Sequence, residues 1–358
     1  MALEFIDSCA HSGTLLANQI PISRKWSSYS QSNYVVSPTR TSGGSIAVTG
    51  FIAKTLAYRS QRFFGMAYYY PSSSNGNINL MLMLSGGLPM AQVRIETDLS
   101  LSIYTGGNNN RIYNSGGQHL YITADVFHYF EFGVTLGGGT PINITCALSV
   151  DGQVFTSGAS GNTGFNSTDT LINAAQMNQV QVSGPQGGGS TGYVTDIYVL
   201  NADTLDVNGN KTTLNQFLGD VAINALIPVS DVTIQWALQP SSNPNSYSLL
   251  HEIPPDDDTT YILTNTIGNK DTFLFQPLVG FSGTLLGAQL LIYAKKDAEG
   301  KRAIHGLVGG FTQSNNYGTD QYLYDYYDYF IFPLDTDNGV AWTPAIFNAE
   351  NFGVLLSI

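Results

Sequence analysis

The sequence is poor in cysteine, in charge and in long apolar runs. Its 358 residues include 2 cysteines, and charged residues make up 11% of the chain, against roughly 25% in an average soluble domain. Cys9 and Cys146 are too few and too far apart for a disulfide framework or a metal-binding motif, so we expect two buried thiols. Because no run of about 18 apolar residues occurs, we expect no membrane span.

Basic residues are scarce as well. The chain has 14 Lys and Arg against 26 Asp and Glu, which gives a net charge of −12. Nucleic-acid binding depends on Lys and Arg that neutralise phosphates, so we expect no nucleic-acid partner. The first residues, Met-Ala-Leu-Glu-Phe-Ile-Asp, lack the basic and apolar regions of a signal peptide. We therefore predict no signal peptide and synthesis in the cytoplasm.

Glycine, small polar residues and aromatic residues are abundant. The chain has 38 glycines, and 12% of it is aromatic. These residue types favour strands and tight turns, whereas helix surfaces use charged residues and glutamine. Short apolar or alternating runs, such as 45–52, 62–70 and 128–136, recur between turn-forming residues, and Asp151-Gly152 between two such runs predicts a hairpin. The sequence predicts an all-β protein.

The length and one polar stretch predict the domain organisation. A chain of 358 residues suits two domains that each bury a core, and residues 201–213 form a polar interruption between two strand-rich regions. We predict two β-sandwich, jelly-roll-like domains in tandem, at 1–203 and 213–358, joined by a linker at 204–212. The segment 214–226 has some helical periodicity, but Gly219 interrupts it and we predict a turn and a strand.

Both halves resemble known domains. Segments of the first half resemble strands of a laminin-G-like, concanavalin-type jelly roll, and these are Trp26, 61–65, 127–132, 150–152 and 193–199. The second half resembles the companion domain of bacteriophage structural proteins, through 217–220, Trp236, 251–252, 254–261, 295–297 and 342–343. Together these segments span nearly the whole chain. The resemblance implies a virion structural protein of a tailed phage, attached to capsid or tail, and it brings no catalytic residues.

The same resemblance implies partners and a location. Other virion proteins of the capsid or tail would be the partners, and we expect a homo-oligomer. The low charge density fits contacts between subunits and a Ser/Thr/Asn-rich soluble surface equally well. The protein would be located in the virion after synthesis in the cytoplasm of the host bacterium. A tail-associated protein that recognises a host surface glycan is the alternative function, and a polysaccharide depolymerase is the third.

Glu96 and Asp98 are the nearest candidates for a catalytic carboxylate pair. Some concanavalin-type folds hydrolyse glycosides with two carboxylates that flank the bond. Glu96 and Asp98 would share one face of a strand, but Ser100 and Leu101 stand where glucanases of this fold carry their second glutamate. We predict no catalytic residue and a protein that is not an enzyme.

Two tyrosine-rich runs are the most unusual local features. Tyrosine combines a large rigid face with a polar tip, which suits both sugar stacking and protein interfaces. If residues 322–329 form one strand, tyrosines lie on both of its faces, which favours subunit contact over sugar binding. The candidate binding residues are Tyr68, Tyr69, Tyr70, Tyr322, Tyr324, Tyr326, Tyr327 and Tyr329.

One acidic loop is a candidate metal site. Asp256, Asp257 and Asp258 follow two prolines and are able to bind Ca²⁺ through carboxylates and carbonyls. The favoured alternative is a solvated loop or a salt bridge to a basic residue. We expect no other cofactor.

Overall fold

The computed structural model describes most of the chain, in ranges separated by short gaps. The described residues are 2–9, 22, 25–40, 44–74, 76–105, 108–111, 119–136, 142–155, 165–169, 176–185, 190–201, 217–252, 255–280, 283–297, 299–309, 311–312, 320–334, 336–337 and 340–357. The chain divides into two compact units, Met1–Asn224 (unit 1) and Ala225–Ile358 (unit 2). The predicted linker at 204–212 lies outside the described residues.

Unit 1 consists of β-strands. They are β1 (Ala2–Asp7), β2 (Ser28–Val35), β3 (Ser45–Arg59), β4 (Gln61–Tyr69), β5 (Ile78–Ser85), β6 (Leu88–Ile95), β7 (Leu101–Thr105), β8 (Asn108–Arg111), β9 (Phe127–Leu136), β10 (Ile142–Val150), β11 (Gln153–Phe155), β12 (Phe165–Asp169), β13 (Met177–Ser183) and β14 (Gly192–Asn201). They form one 14-stranded sheet in the order β11-β10-β9-β4-β14-β3-β13-β5-β6-β7-β8, with β1, β2 and β12 paired to β14, β3 and β10. The predicted hairpin at Asp151-Gly152 joins β10 to β11.

The centre of this sheet has two distinct faces. Strand β4 pairs with β9 in unbroken register from Gln61↔Thr135 to Tyr69↔Phe127, and it pairs with β14 on its other side. Alternate residues point to opposite faces. One face, the core face, carries fully buried apolar side chains: Phe64, Met66, Phe130, Phe132 and Val134. The other, which we call the tyrosine face, carries Phe63, Gly65, Ala67, Tyr69, Phe127, Tyr129, Glu131 and Tyr198.

A segment beyond the last strand covers part of the tyrosine face. Phe217, Leu218 and Val221 pack against a cluster formed by Phe63, Ala67, Tyr129, Tyr198 and Leu200. Residues 217–224 therefore pack within unit 1, although the sequence assigned them to the second domain. The apolar tyrosine face explains the difference, since it needs a cover that the local sequence pattern of residues 214–226 does not reveal. The predicted turn and strand are also absent from 217–227, which have no regular secondary structure.

Unit 2 contains shorter strands and one short α-helix. Its elements are β15 (Pro228–Thr233), β16 (Ala237–Gln239), a 3-10 helix (Tyr247–Leu249), β17 (Tyr261–Leu263), β18 (Lys270–Phe275), β19 (Ala288–Ala294), β20 (Ala303–Val308), β21 (Phe311–Thr312), β22 (Gln321–Tyr322), β23 (Asp328–Leu334), β24 (Thr336–Asp337), β25 (Val340–Ala341), α1 (Pro344–Ala349) and β26 (Phe352–Leu356). Thr343 caps α1, because its side chain accepts a hydrogen bond from the Ile346 amide at 3.2 Å.

Two layers of strands enclose the core of unit 2. The larger sheet has the order β15-β18-β26-β20-β21, with β22 also paired to β20, and β19 pairs with β23 in a separate ribbon. Phe330 and Phe332 of the ribbon pack against Ile304, Val354 and Leu356 of the sheet. The layers are close, since a Cβ added at Gly306 would lie 2.8 Å from the Phe332 ring.

The tyrosine-rich run at 322–329 is not one strand. Gln321–Tyr322 pairs with β20 of the larger sheet, whereas Asp328–Leu334 pairs with β19 of the ribbon. Residues 323–327 therefore cross from one layer to the other. A two-residue alternation cannot describe this crossing, so the predicted division of the tyrosines between two strand faces does not occur.

The all-β, sandwich-like fold class predicted from the sequence is confirmed. Cys9 and Cys146 are buried thiols, as expected. In the described part of the chain, no helix has the length and apolar character needed to cross a membrane.

A glycine in β4 allows close packing on the tyrosine face, which gives a first test of the fold. A Cβ added at Gly65 would lie 2.1 Å from the Tyr198 ring. We expect Gly65→Ala to lower the free energy of unfolding of unit 1 by about 1–3 kcal/mol, because Tyr198 is buried and must shift. Urea unfolding measures the change. Thr55→Ala, at an exposed site on β3, is the control and should change stability by less than about 0.5 kcal/mol; equal effects of the two variants would contradict the packing described.

Candidate functional site

Three aromatic side chains form a row across neighbouring strands at one end of the tyrosine face. Tyr193 of β14 is paired with Tyr69 of β4, which is paired in turn with Phe127 of β9. The Tyr69 ring centroid lies 5.4 Å from that of Phe127 and 5.9 Å from that of Tyr193. All three are half-buried. We call these residues the aromatic row.

A polar loop borders the aromatic row. The Tyr69 hydroxyl donates to Asp125 Oδ1 at 3.3 Å, and the Ser72 amide donates to the same oxygen at 2.8 Å. Hydrogen bonds from Ser72 lower the pKa of the exposed Asp125 carboxyl, so this group is ionised at neutral pH. Burial of its ring, followed by the charge of Asp125, raises the pKa of the Tyr69 phenol. The border therefore places a carboxylate and a phenol hydroxyl beside exposed ring surface.

A histidine fastens this loop to the sheet. His128 Nδ1 lies 2.6 Å from Asp151 Oδ2, and its Nε2 lies 3.0 Å from both the amide nitrogen and the carbonyl oxygen of Thr123. The Tyr129 amide also donates to Asp151, at 2.7 Å. Asp151 thus connects the β10–β11 turn to the start of β9. Its hydrogen bond raises the pKa of His128, although partial burial acts in the opposite direction.

A charged group lies over Tyr129, the next residue of β9 on the tyrosine face after Phe127. Arg40 donates to Asp196 Oδ2 at 3.1 Å and to the carbonyl of Val221 at 2.9 Å, and it forms an ion pair with Asp220. Its guanidinium also lies 5.1 Å from the centroid of the Tyr129 ring. Asp196 is fully buried, so Arg40 supplies the opposite charge that a buried carboxylate requires.

A buried carboxyl lies further along the same face. Glu131 Oε1 accepts a hydrogen bond from the Tyr198 hydroxyl at 2.6 Å and another from the Gly219 amide at 2.9 Å. Burial raises the pKa of Glu131. Together with Arg40, the aromatic row and Tyr129, it gives this face a mixture of aromatic rings and charged groups, of which Tyr129 and Glu131 are buried.

Of the first tyrosine run predicted as binding residues, only Tyr69 is accessible. Tyr68 and Tyr70 point to the opposite side of β4 and are 1% and 3% exposed. The alternation of side chains along a strand causes this division. Tyr69 lies in the aromatic row, whereas Tyr68 packs closely enough that a Cβ at Gly192 would overlap it.

The second tyrosine run forms two separate groups in unit 2. Tyr322, Tyr324 and Tyr326 are 51%, 46% and 54% exposed, and the last two rings stack at 5.0 Å with an angle of 3° between them. Tyr327 instead stacks on Tyr293 at 4.9 Å, and Tyr329 is 8% exposed. Three of the five predicted tyrosines are therefore exposed, and two of these stack on each other.

The predicted acidic loop makes contacts within unit 2. Asp256 accepts hydrogen bonds from the Thr260 amide and hydroxyl, and Asp257 accepts one from the Tyr293 hydroxyl at 2.7 Å. Asp258 accepts from Lys295 at 2.6 Å and from the Tyr327 hydroxyl at 3.1 Å. Within the described ranges, no group of three or more His, Cys, Asp or Glu residues is arranged to hold a metal ion. Asp258 forms an ion pair with Lys295, and Ca²⁺ binding by this loop stays a prediction.

Sequence reasoning missed most of the tyrosine-face residues. Phe127, Glu131 and Tyr193 lie within segments that it identified as strands, but it gave them no role. The register that joins Tyr193, Tyr69 and Phe127 links strands far apart in sequence, so no local pattern reveals it. Arg40 belongs to no recognisable sequence motif. The one signal available in the sequence was the presence of aromatic residues at matching ends of predicted strands.

Comparison with known proteins gives a likeness of fold. No protein-family model matches the chain, and no curated protein matches it either. It is similar to an endo-beta-1,4-glucuronan lyase from the fungus Trichoderma reesei, with 10% identity, 56% of this chain and 95% of the lyase covered, and a TM-score of 0.36. It is also similar to the marine PL-14 alginate lyase from Aplysia kurodai, with 9% identity, 56% and 100% covered, and a TM-score of 0.39.

A third solved structure is the catalytic domain of a glycoside hydrolase family 131 protein from Coprinopsis cinerea, with 13% identity, 52% of this chain and 82% of that domain covered, and a TM-score of 0.31. At such identities the likeness concerns the fold alone.

The prediction that the chain is not an enzyme was wrong. It rested on the lack of a second carboxylate near Glu96 and Asp98, which in the structure bind Tyr104 and Ser100 respectively. The finding against it is that the solved structures above are named as two lyases and a catalytic domain. The absence of one hydrolase motif does not exclude catalysis.

The His128–Asp151 contact predicts a pH dependence of stability. Because the pKa of His128 is raised in the folded protein, its contribution is fully present below the unfolded value of about 6.5 and is lost as pH rises through the folded value. We expect unit 1 to lose stability between about pH 6 and pH 8, and His128→Gln to reduce that loss. Urea unfolding at several pH values across this range measures the free energy of unfolding of unit 1. His251→Gln, an exposed histidine of unit 2, should leave the pH dependence unchanged; the same curve for wild type and His128→Gln would contradict the assignment.

Proposed function

We propose that unit 1 binds carbohydrate through the aromatic row, and that the protein recognises a host surface glycan as part of a bacteriophage particle. The observation that supports binding is the row itself, in which three half-buried rings lie on adjacent strands about 4.8 Å apart. Phe127 and Tyr193 stand edge-on to Tyr69, with interplanar angles of 60° and 75°. Sugar rings place apolar C–H faces against such aromatic surfaces, while their hydroxyl groups need polar partners at the edge.

The groups around the row supply those polar partners. The Asp125 carboxylate is exposed and ionised, and it already orients the Tyr69 hydroxyl through their hydrogen bond. Arg40 lies on the same face beside Tyr129. A carboxylate accepts hydrogen bonds from sugar hydroxyls, and a guanidinium donates them. The aromatic row therefore combines stacking surface with directional polar contacts.

The phage assignment has a separate basis. It is supported by the resemblance of segments in both halves of the chain, from 61–65 to 342–343, to phage structural proteins. We propose the virion as the location and other capsid or tail proteins as partners. A glycan-binding unit in such a particle would contact the host surface, and unit 2 would serve attachment and assembly.

Removal of one ring from the row tests glycan binding. We expect Tyr69→Ala to weaken binding to a glycan retained from an array of bacterial surface polysaccharides by about tenfold or more, because stacking surface and one hydrogen bond are lost. Affinity is measured by titration calorimetry. Tyr58→Ala, which removes a tyrosine that is 51% exposed on β3, is the matched control. Chromatography of the same mixtures shows whether the bound chains are shortened.

The result has clear alternatives. Equal affinities for wild type, Tyr69→Ala and Tyr58→Ala would refute the aromatic row as the site. An array without any retained glycan would refute carbohydrate recognition. Shortened chains in the wild-type mixture would add catalysis to binding.

The exposed tyrosines of unit 2 support a second function, contact between subunits. Tyr324 and Tyr326 expose about half of their surface and stack on each other, although large apolar surface is normally buried when a partner is available. Interface cores are rich in tyrosine and poor in charge. We propose that this surface contributes to a homo-oligomer.

Double substitution of this pair tests oligomer formation. We expect Tyr324→Ser with Tyr326→Ser to shift the protein toward monomer in sedimentation velocity, because a stable interface buries about 1,200–2,000 Å² and depends on a few large side chains. Tyr58→Ser in unit 1 is the control. If wild type is monomeric, or if the double variant assembles as wild type does, the tyrosine surface is not an interface between copies.

A further inference from the structure

The tyrosine face continues beyond the aromatic row, but residues 217–223 cover that continuation. We call these residues the cover segment. From Phe127 in the row to Glu131 under the cover, β9 advances by four residues, or about 13 Å at the usual rise of a strand. The exposed and the covered parts are thus one continuous surface.

The cover segment is attached by side chains rather than by strand pairing. Its Phe217 ring packs edge-on against Phe63 with centroids 5.7 Å apart. The amide of Gly219 donates to Glu131 at 2.9 Å, and the amide of Ile223 donates to Asp196 at 3.0 Å. Arg40 then binds the Asp220 carboxylate and the Val221 carbonyl. Because it is held by such contacts and not by strand pairing, the cover segment lies on the tyrosine face as an extended bound ligand would.

Burial of apolar surface alone does not explain which residues lie beneath the cover segment. Glu131 is 1% exposed, and its carboxyl accepts hydrogen bonds from the Tyr198 hydroxyl and the Gly219 amide, with Ser149 and Leu218 as further donors. A buried carboxyl costs stability even when it is hydrogen-bonded, and an apolar residue there would avoid this cost. Instead, the covered part of the tyrosine face carries a carboxyl group and two phenol rings, from Glu131, Tyr198 and Tyr129. These are the same kinds of group that lie in and beside the aromatic row.

We propose that the cover segment is a built-in occupant of the carbohydrate site, and that a glycan long enough to extend from the aromatic row to Glu131 displaces it. This inference rests on the proposed glycan binding by unit 1. A short glycan binds the aromatic row alone and leaves the cover in place. A long glycan must compete with the cover, so its apparent affinity is reduced by the fraction of molecules that are closed.

A substitution that weakens the attachment of the cover segment, without changing the tyrosine-face residues beneath it, tests this competition. Phe217→Ala removes the main apolar contact of the cover, and Phe275→Ala removes an equally half-buried ring from the core of unit 2 as a matched control. The probes are a disaccharide and an octasaccharide prepared from the array polysaccharide that wild type retains. Hydrogen exchange at the Gly219 and Ile223 amides is measured in the free protein.

We expect Phe217→Ala to exchange these two amides about tenfold faster than wild type and to bind the octasaccharide several-fold more tightly, with disaccharide affinity unchanged. Phe275→Ala should change none of these quantities. Asp220→Asn, which weakens the ion pair with Arg40, is the second variant if Phe217→Ala does not fold, and should act in the same direction.

The outcomes separate this inference from the proposed function. Unchanged amide exchange, or faster exchange with unchanged octasaccharide affinity, overturns the cover as a competing occupant while disaccharide binding upholds the aromatic row. Absence of binding by wild type and by both cover variants overturns the glycan function and the inference with it. Tighter binding of the octasaccharide by a cover variant than by wild type, with equal disaccharide affinity, supports both.

Discussion

The pairing of β4 with β9 and β14 is the constraint on which unit 1 depends. Because side chains alternate along a strand, this register directs Phe64 and Met66 to the core face and Tyr69 and Gly65 to the tyrosine face. A shift by one residue would exchange the two sets, burying Tyr69 and exposing the phenylalanines. The same register that builds the core therefore also aligns the aromatic row.

Buried charge on the tyrosine face follows from that arrangement. Asp196 is fully buried, and a carboxylate without an opposite charge or hydrogen bonds would be strongly unfavourable there. It has Arg40 on one oxygen and the Ile223 amide on the other. Arg40 in turn needs the cover segment for its remaining contacts. The charged groups of the sheet and the segment beyond it thus depend on each other.

The sequence was sufficient for the fold class and for most strands, because short alternating runs and turn residues are local signals. It was not sufficient where distant segments meet. Residues 217–224 pack on unit 1 through contacts to side chains such as Glu131 and Phe63, which no pattern within the segment encodes. The run at 322–329 changes layers at 323–327, so its alternation misled the assignment of faces. Within the site, the strand position of Tyr69 was predictable, whereas Arg40 became a candidate only through tertiary contacts.

The way in which the cover segment is held determines how readily it can leave. Residues 217–223 make no strand pairing, and two of their amides are satisfied by the carboxyl groups of Glu131 and Asp196. Segments held by few side-chain contacts open at lower free energy than strands inside a sheet, since opening breaks fewer bonds. After opening, water or a ligand hydroxyl can replace the Gly219 amide at Glu131. The sheet beneath keeps its register throughout, because β4, β9 and β14 do not pair with the segment that leaves.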